Sequence, residues 1–212
     1  MKILTSGFDK EFPTKLASKF NEIIINNNLF VFVASDFNNA VNTDKYFNNI
    51  LSMFCKSGII FQRSVVIDNR MKTYDAEKMI KSADVIWLAG GDSPKQYASI
   101  KNMNLDLALQ NCNAVIIGMS AGSINMAKIS VCTVTSGHDK QSVYSGLGLV
   151  NISVEPHFDK NNISKELLDL SQHHHLIGVC DNAAIICSND NYEIIGDVYS
   201  IKDGVIKSIK TI

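Results

Sequence analysis

Short apolar runs alternate along this chain with longer stretches whose apolar residues recur every third or fourth position, and that alternation constrains the fold more than any other feature. Leu29–Ala34, Asp84–Ala89 and Ala114–Gly118 are strand-like runs rich in Val, Ile, Ala or Phe. Pro13–Asn27 sets Leu16, Phe20, Ile23 and Ile24 on one helical face, and Tyr46–Lys56 does the same with Phe47, Ile50, Leu51 and Phe54. Strands alternating with amphipathic helices predict an α/β fold, a mostly parallel sheet with helices on both faces. Ala114–Gly118 carries no polar side chain, as a central parallel strand buried on both faces requires. Met1–Thr5 and Ile59–Ile67 read as further strands, and Ala76–Ser82, Asn104–Asn111 and Ala121–Lys128 as helices. Ser93 is the expected cap of a helix that has Pro94 at its first position, where the missing N–H costs nothing.

Beyond residue 176 the texture changes. Leu176–Cys180, Ala183–Cys187, Tyr192–Ile195 and Val205–Ile209 are short strands separated by Asp181-Asn182, Asn189-Asp190-Asn191 and Asp203-Gly204. Those are hairpin-turn residues, so antiparallel strands added to the parallel sheet are expected at the C-terminus. No repeat or linker interrupts the chain, and 212 residues fall within what a single core serves, so one domain over 1–212 is expected.

Composition removes whole classes of function. At 46% hydrophobic and 19% charged the chain is not a disordered one. Twenty basic and 21 acidic side chains leave a net charge of −1, so nucleic acid and anionic membrane surfaces are excluded as partners held by bulk charge. No apolar run approaches the ~20 residues of a membrane span, and Ser6 and Gly7 break the first one too early for a signal-peptide core. Five cysteines without a CxxC pair indicate neither a disulfide framework nor a zinc site. The expectation is a cytoplasmic protein that needs no metal or cofactor.

Chemistry concentrates in Gly118-Met119-Ser120-Ala121-Gly122, a G-x-S-x-G run between an apolar strand and a helix, the setting of a nucleophile elbow. A strand turning abruptly into a helix strains the corner residue and lifts its side chain above the sheet. Its neighbours must then lack bulk, which Gly118, Ala121 and Gly122 do. A glycine-containing turn can carry the same letters without catalysis; the flanking strand and helix favour the nucleophile. A serine hydroxyl needs a base within hydrogen-bond reach. Among five histidines, His157 follows a strand-like run ending at Pro156, and ligands and sites collect at strand ends of such sheets. His173, His174 and His175 end an amphipathic helix, Lys165–Gln172, where consecutive side chains diverge, so they read as helix-terminal cations. Gly90-Gly91 ends another strand. The Gly91 N–H can serve as an oxyanion donor beside that of Ala121, or the pair simply builds a tight turn.

In chain order, strand-Gly90-Gly91-Asp92, then Gly118-Met119-Ser120-Ala121-Gly122, then Pro156-His157-Phe158 resembles the serine peptidase family of α-aspartyl dipeptidase (peptidase E) and cyanophycinase. The likeness extends from Met1–Gly7 to the strands after residue 176. It implies a three-layer αβα fold of the flavodoxin-like, class I glutamine amidotransferase-like type. It also implies peptide hydrolysis through an acyl-enzyme, with Ser120 as nucleophile, His157 as base and then acid, and the Gly91 and Ala121 amides as oxyanion hole. The family's dipeptidase carries its acid between nucleophile and histidine. Asp139 is the carboxylate in that interval and is the expected third member, with Glu155, Asp159 and Asp181 as fallbacks. The implied partner is a small peptide substrate, and a homodimer is compatible with the chain. An inactive binding or regulatory protein of the same fold, or an esterase or amidase on another acyl group, are the competing readings. Arg63 and Arg70 are the only arginines, and both lie far in sequence from the motifs. A pocket for an aspartyl side chain would normally recruit arginine for its bidentate grip on a carboxylate, which lysine or backbone amides replace less specifically, so the expectation stops at a small-peptide hydrolase with its side-chain preference open.

Overall fold

The computed structural model describes residues 1–134, 139–188 and 191–210. In chain order the elements are β1 (Lys2–Thr5), α1 (Thr14–Ile23), β2 (Leu29–Val33), α2 (Ala40–Lys56), β3 (Arg63–Ile67), α3 (Thr73–Ser82), β4 (Val85–Leu88), α4 (Ser93–Asn102), α5 (Asp106–Asn111), β5 (Val115–Met119) and α6 (Ala121–Met126). They are followed by β6 (Ile129–Cys132), β7 (Ser142–Ser145), β8 (Ser153–Pro156), α7 (Lys165–Leu170), β9 (Leu176–Val179), β10 (Ala184–Ser188), β11 (Asn191–Ile195), β12 (Val198–Lys202) and β13 (Val205–Ile209).

Seven strands form the main sheet in the order β11-β10-β1-β5-β4-β2-β3. The five from β1 to β3 are parallel, and β10 and β11 extend the sheet antiparallel. Side-chain alternation along each strand sorts the core into two layers. Leu4, Val31, Ile86 and Ile116 face one side, where Ile80, Ile100, Leu109 and Ile124 of the helices cover them. Ile3, Phe30, Trp87 and Ile117 face the other, against Leu16 and Phe20 of α1 and Phe54 of α2. Phe20, Phe54 and Trp87 are fully buried, each contributing on the order of 1.5–3 kcal/mol. The result is the expected αβα arrangement.

The C-terminal region departs from expectation. Of the strands predicted there, only β10 and β11 join the main sheet. β9 instead pairs parallel with β8 and antiparallel with β12 in a second sheet ordered β13-β12-β9-β8. Asp181-Asn182 is therefore not a hairpin turn but the crossing between two sheets, held by Asn182 N–H donating to Gly7 O at 2.8 Å. Asp203-Gly204 does turn a hairpin, β12 to β13, with φ of 53° and 72° as a two-residue turn of this hand needs. The strands β6, β7 and β12 are additional. Other differences are local. α2 starts at Ala40, capped by the Asn39 side chain accepting from Asn42 N–H, ahead of its first apolar repeat. The cap of α4 is Asp92, which accepts from Lys95 N–H, so Ser93 is already helical. Among the described residues no helix is long and apolar enough to cross a membrane.

Candidate active site

The corner after β5 is built from glycines. Gly118 sits between Leu4 of β1 and Leu88 of β4, and a Cβ on it would press to within 2.7 Å of the Gly122 backbone. A Cβ on Gly122 would in turn collide with the Leu88 carbonyl. Their absence lets α6 fold straight back over the sheet. Ser123 fastens the start of α6 to β1: its hydroxyl accepts from Thr5 N–H at 2.9 Å and lies 2.7 Å from Thr5 O. Ser120 is left at the corner with φ 49° and ψ −109°, a strained backbone for a residue with a side chain. The first amides of a helix have no intrahelical acceptor, and Ala121 N–H, next to Ser120, is one of them.

Ser120 Oγ lies 3.0 Å from His157 Nε2, and His157 Nδ1 lies 2.7 Å from Asp181 Oδ1. With Asp181 ionised, Nδ1 carries the imidazole proton and Nε2 is free to accept from the serine. His157 follows β8 directly, in the left-handed region at φ 55°. Its backbone N–H donates to Ser6 Oγ at 2.7 Å, and the Ser6 hydroxyl donates to Asp181 Oδ1 at 2.7 Å. Gly7 N–H reaches the same oxygen at 3.0 Å. A Cβ on Gly7 would come within 2.8 Å of Asp181 Oδ1 and 2.9 Å of His157 Cε1, so glycine is what lets this cluster close. Burial pushes the Asp181 carboxyl up, but the Ser6 hydroxyl, the His157 ring and the Gly7 amide together outweigh it and hold the pKa below the usual carboxylate value. The group remains accessible, with His157 42% and Asp181 58% exposed at the side chain.

The structure brings Ser120 and His157 together, and the carboxylate it places on the histidine is not Asp139 but Asp181, one of the fallbacks. Asp139 is exposed in the segment between β6 and β7, and the carboxylate on His157 is Asp181. The cause is strand register. β8 and β9 run parallel with Pro156 opposite Val179, so the chain just past each strand delivers His157 and Asp181 to the same edge. Glu155 is buried against Thr133 instead, and Asp159 accepts from Asn161 N–H within its own turn. Gly91 follows β4 with φ 144°, where a Cβ would strike Ser35, and it lines a cavity of about 400 Å³ together with Ser120 and His157. Ser6 and Gly7 carry no motif of their own; the one sequence signal they offer is a small polar pair ending a parallel strand. Neither arginine lines the cavity: Arg63 starts β3 at the opposite end of the sheet, and Arg70 is engaged by Asp44 and Asp68. Among the described residues no cluster of His, Cys, Asp or Glu is arranged to hold a metal ion.

The same fold occurs in a peptidase from an acI-B1 Actinobacterium, at TM-score 0.74 and 18% identity over 99% of this chain and 93% of that one. It occurs also in a protein named for peptidase E from Listeria monocytogenes EGD-e, at TM-score 0.66 and 15% identity over 92% and 96% of the two chains. No curated protein sequence matches the chain. The family model for peptidase family S51 matches residues 3–195, nearly the whole sequence. On that match the chain belongs to peptidase family S51 and is a serine peptidase.

Proposed function

We propose that the chain hydrolyses small peptides through an acyl-enzyme on Ser120, with His157 as general base and then acid and Asp181 as the orienting carboxylate. The observation that carries this reading is the unbroken line Ser120 Oγ, His157 Nε2, His157 Nδ1, Asp181 Oδ1, at 3.0 and 2.7 Å. Ser120 Oγ attacks the peptide carbonyl as its proton passes to Nε2. The imidazolium so formed is stabilised by Asp181, which stays ionised. The oxyanion is received by the amides of Gly91 and Ala121. His157 then protonates the departing amine, and water enters by the same route in reverse to release the acid. Two of the three catalytic side chains are substantially open to solvent, which suits a short, unstructured substrate.

A fluorophosphonate probe tests the nucleophile. Mass spectrometry of the labelled protein is expected to place the adduct on Ser120, with labelling lost in Ser120→Ala and strongly slowed in His157→Ala. Unlabelled Ser120 in folded protein would overturn the proposal.

A further inference from the structure

The cavity beside Ser120 has a direction. In the sheet β5 stands between β1 and β4. His157 and Asp181 gather on the β1 side, around Ser6 and Gly7. Gly91, Ser35 and the first half of α2 lie on the side of β4 and β2. A leaving amine must take its proton from His157 Nε2, so it occupies the β1 side. The acyl part of the substrate then extends over β4 and β2, into the cavity.

Apolar and aromatic lining of that cavity comes from Phe8, Phe32, Tyr46, Ile50, Ala89 and Met119, and Ser35, Asn39, Asn42 and Thr43 add polar groups. Its volume, about 400 Å³, accommodates a large side chain. Among the described residues lining it, no lysine or arginine appears, and the one carboxylate is Asp36. Lys95 stands next to that carboxylate, but its Nζ is held by Asp36 Oδ2 at 2.7 Å, and Asn38 N–H donates to Oδ1 at 3.0 Å. An acidic side chain entering here would shed its hydration, meet a carboxylate, and find the neighbouring ammonium already engaged. An apolar side chain would bury its surface against the aromatic and aliphatic wall.

We infer that this cavity selects an uncharged apolar or aromatic residue on the acyl side of the scissile bond, and that Asp36 makes it reject an acidic one. The inference rests on Ser120 being the peptidase nucleophile. The test is kcat/KM of the full chain on a matched dipeptide series with Leu, Phe, Ala, Asp or Glu at the acyl position, normalised to sites titrated by the fluorophosphonate. Leu and Phe are expected to exceed Asp and Glu by at least about tenfold. Asp36→Asn should narrow that gap at least about threefold, and Tyr46→Ala, at a half-exposed position, should lower the Phe-to-Ala ratio by a similar factor. Aspartyl or glutamyl substrates cleaved as fast as leucyl ones, ratios unmoved in both variants, or no turnover of any member by protein labelled at Ser120 would overturn the selectivity and leave the nucleophile standing. Absence of labelling at Ser120 would overturn the nucleophile and the selectivity with it.

Discussion

Asp181 Oδ1 gathers three donors, from Ser6, Gly7 and His157, and a carboxylate so satisfied stays ionised while orienting the imidazole. The distinction from Asp139 is directly measurable. Asp181→Asn is expected to lower kcat by about 10³–10⁴, because the amide can favour the wrong imidazole tautomer. Asp139→Asn should change it less than about twofold, since that side chain is exposed and away from the imidazole's hydrogen bonds. Equal losses in the two variants, measured on one dipeptide under identical conditions, would restore the acid that the family pattern implies. Ser120 and His157 were legible because their signals are local: an elbow motif between strand and helix, and a histidine after a strand-ending proline. Asp181 was legible only as one of three fallbacks, because Asp-Asn between two short strands has the same composition whether it turns a hairpin or crosses between sheets.

Among the elements, β8 is followed directly by a site residue, His157, and carries a buried acid within it. Glu155 is 3% exposed, accepts from Thr133 Oγ1 at 2.7 Å, and has its other oxygen buried without a hydrogen-bond partner among the described residues. Burial, reinforced by nearby Glu166 and opposed by the Thr133 hydroxyl, raises its pKa to about 7. Between the unfolded value and that value the folded chain holds a proton that the unfolded chain has lost. Stability therefore falls as pH rises through this window and levels off above it. Glu155→Gln keeps the neutral shape and removes the decline. In urea unfolding at pH 5 and pH 8, the variant should gain on the wild type at the higher pH by on the order of 1–3 kcal/mol. An unchanged difference at the two pH values would show that Glu155 is ionised in the fold. The strand itself was readable as a run ending at Pro156; its neighbour was not, because short segments such as β9 and β12 carry no local signal for which sheet they join.

Across the whole molecule, contacts between residues far apart in the chain hold the helices that line the cavity to the sheet. Arg70 forms one of them. Its guanidinium bonds Asp44 of α2 and the buried Asp68 that follows β3, at 2.7 and 2.6 Å. The helix it anchors carries Thr43, Tyr46 and Ile50 of the cavity. Arg70→Ala leaves Asp68 without its cation, and a loss of about 1–3 kcal/mol is expected, below the figure for a fully buried pair because the arginine is itself half exposed. Thermal unfolding checks the stability, and steady-state kinetics should show KM rising more than kcat falls. The arginine count that argued against carboxylate recognition thus has a structural counterpart, since one guanidinium is spent on the scaffold and the other lies at the far end of the sheet. The amino-acid sequence by itself determined the layered α/β class, the parallel central strands, the Gly-x-Ser-x-Gly corner and the histidine that meets it. Each of those is set by side-chain periodicity or by a local motif, which need no knowledge of distant residues. Tertiary structure alone decided which carboxylate meets His157, which sheet each C-terminal strand joins, and what lines the cavity. Those depend on strand register and on contacts between residues far apart in the chain, and a linear pattern does not encode which of several equivalent pairings buries the most surface while satisfying the backbone.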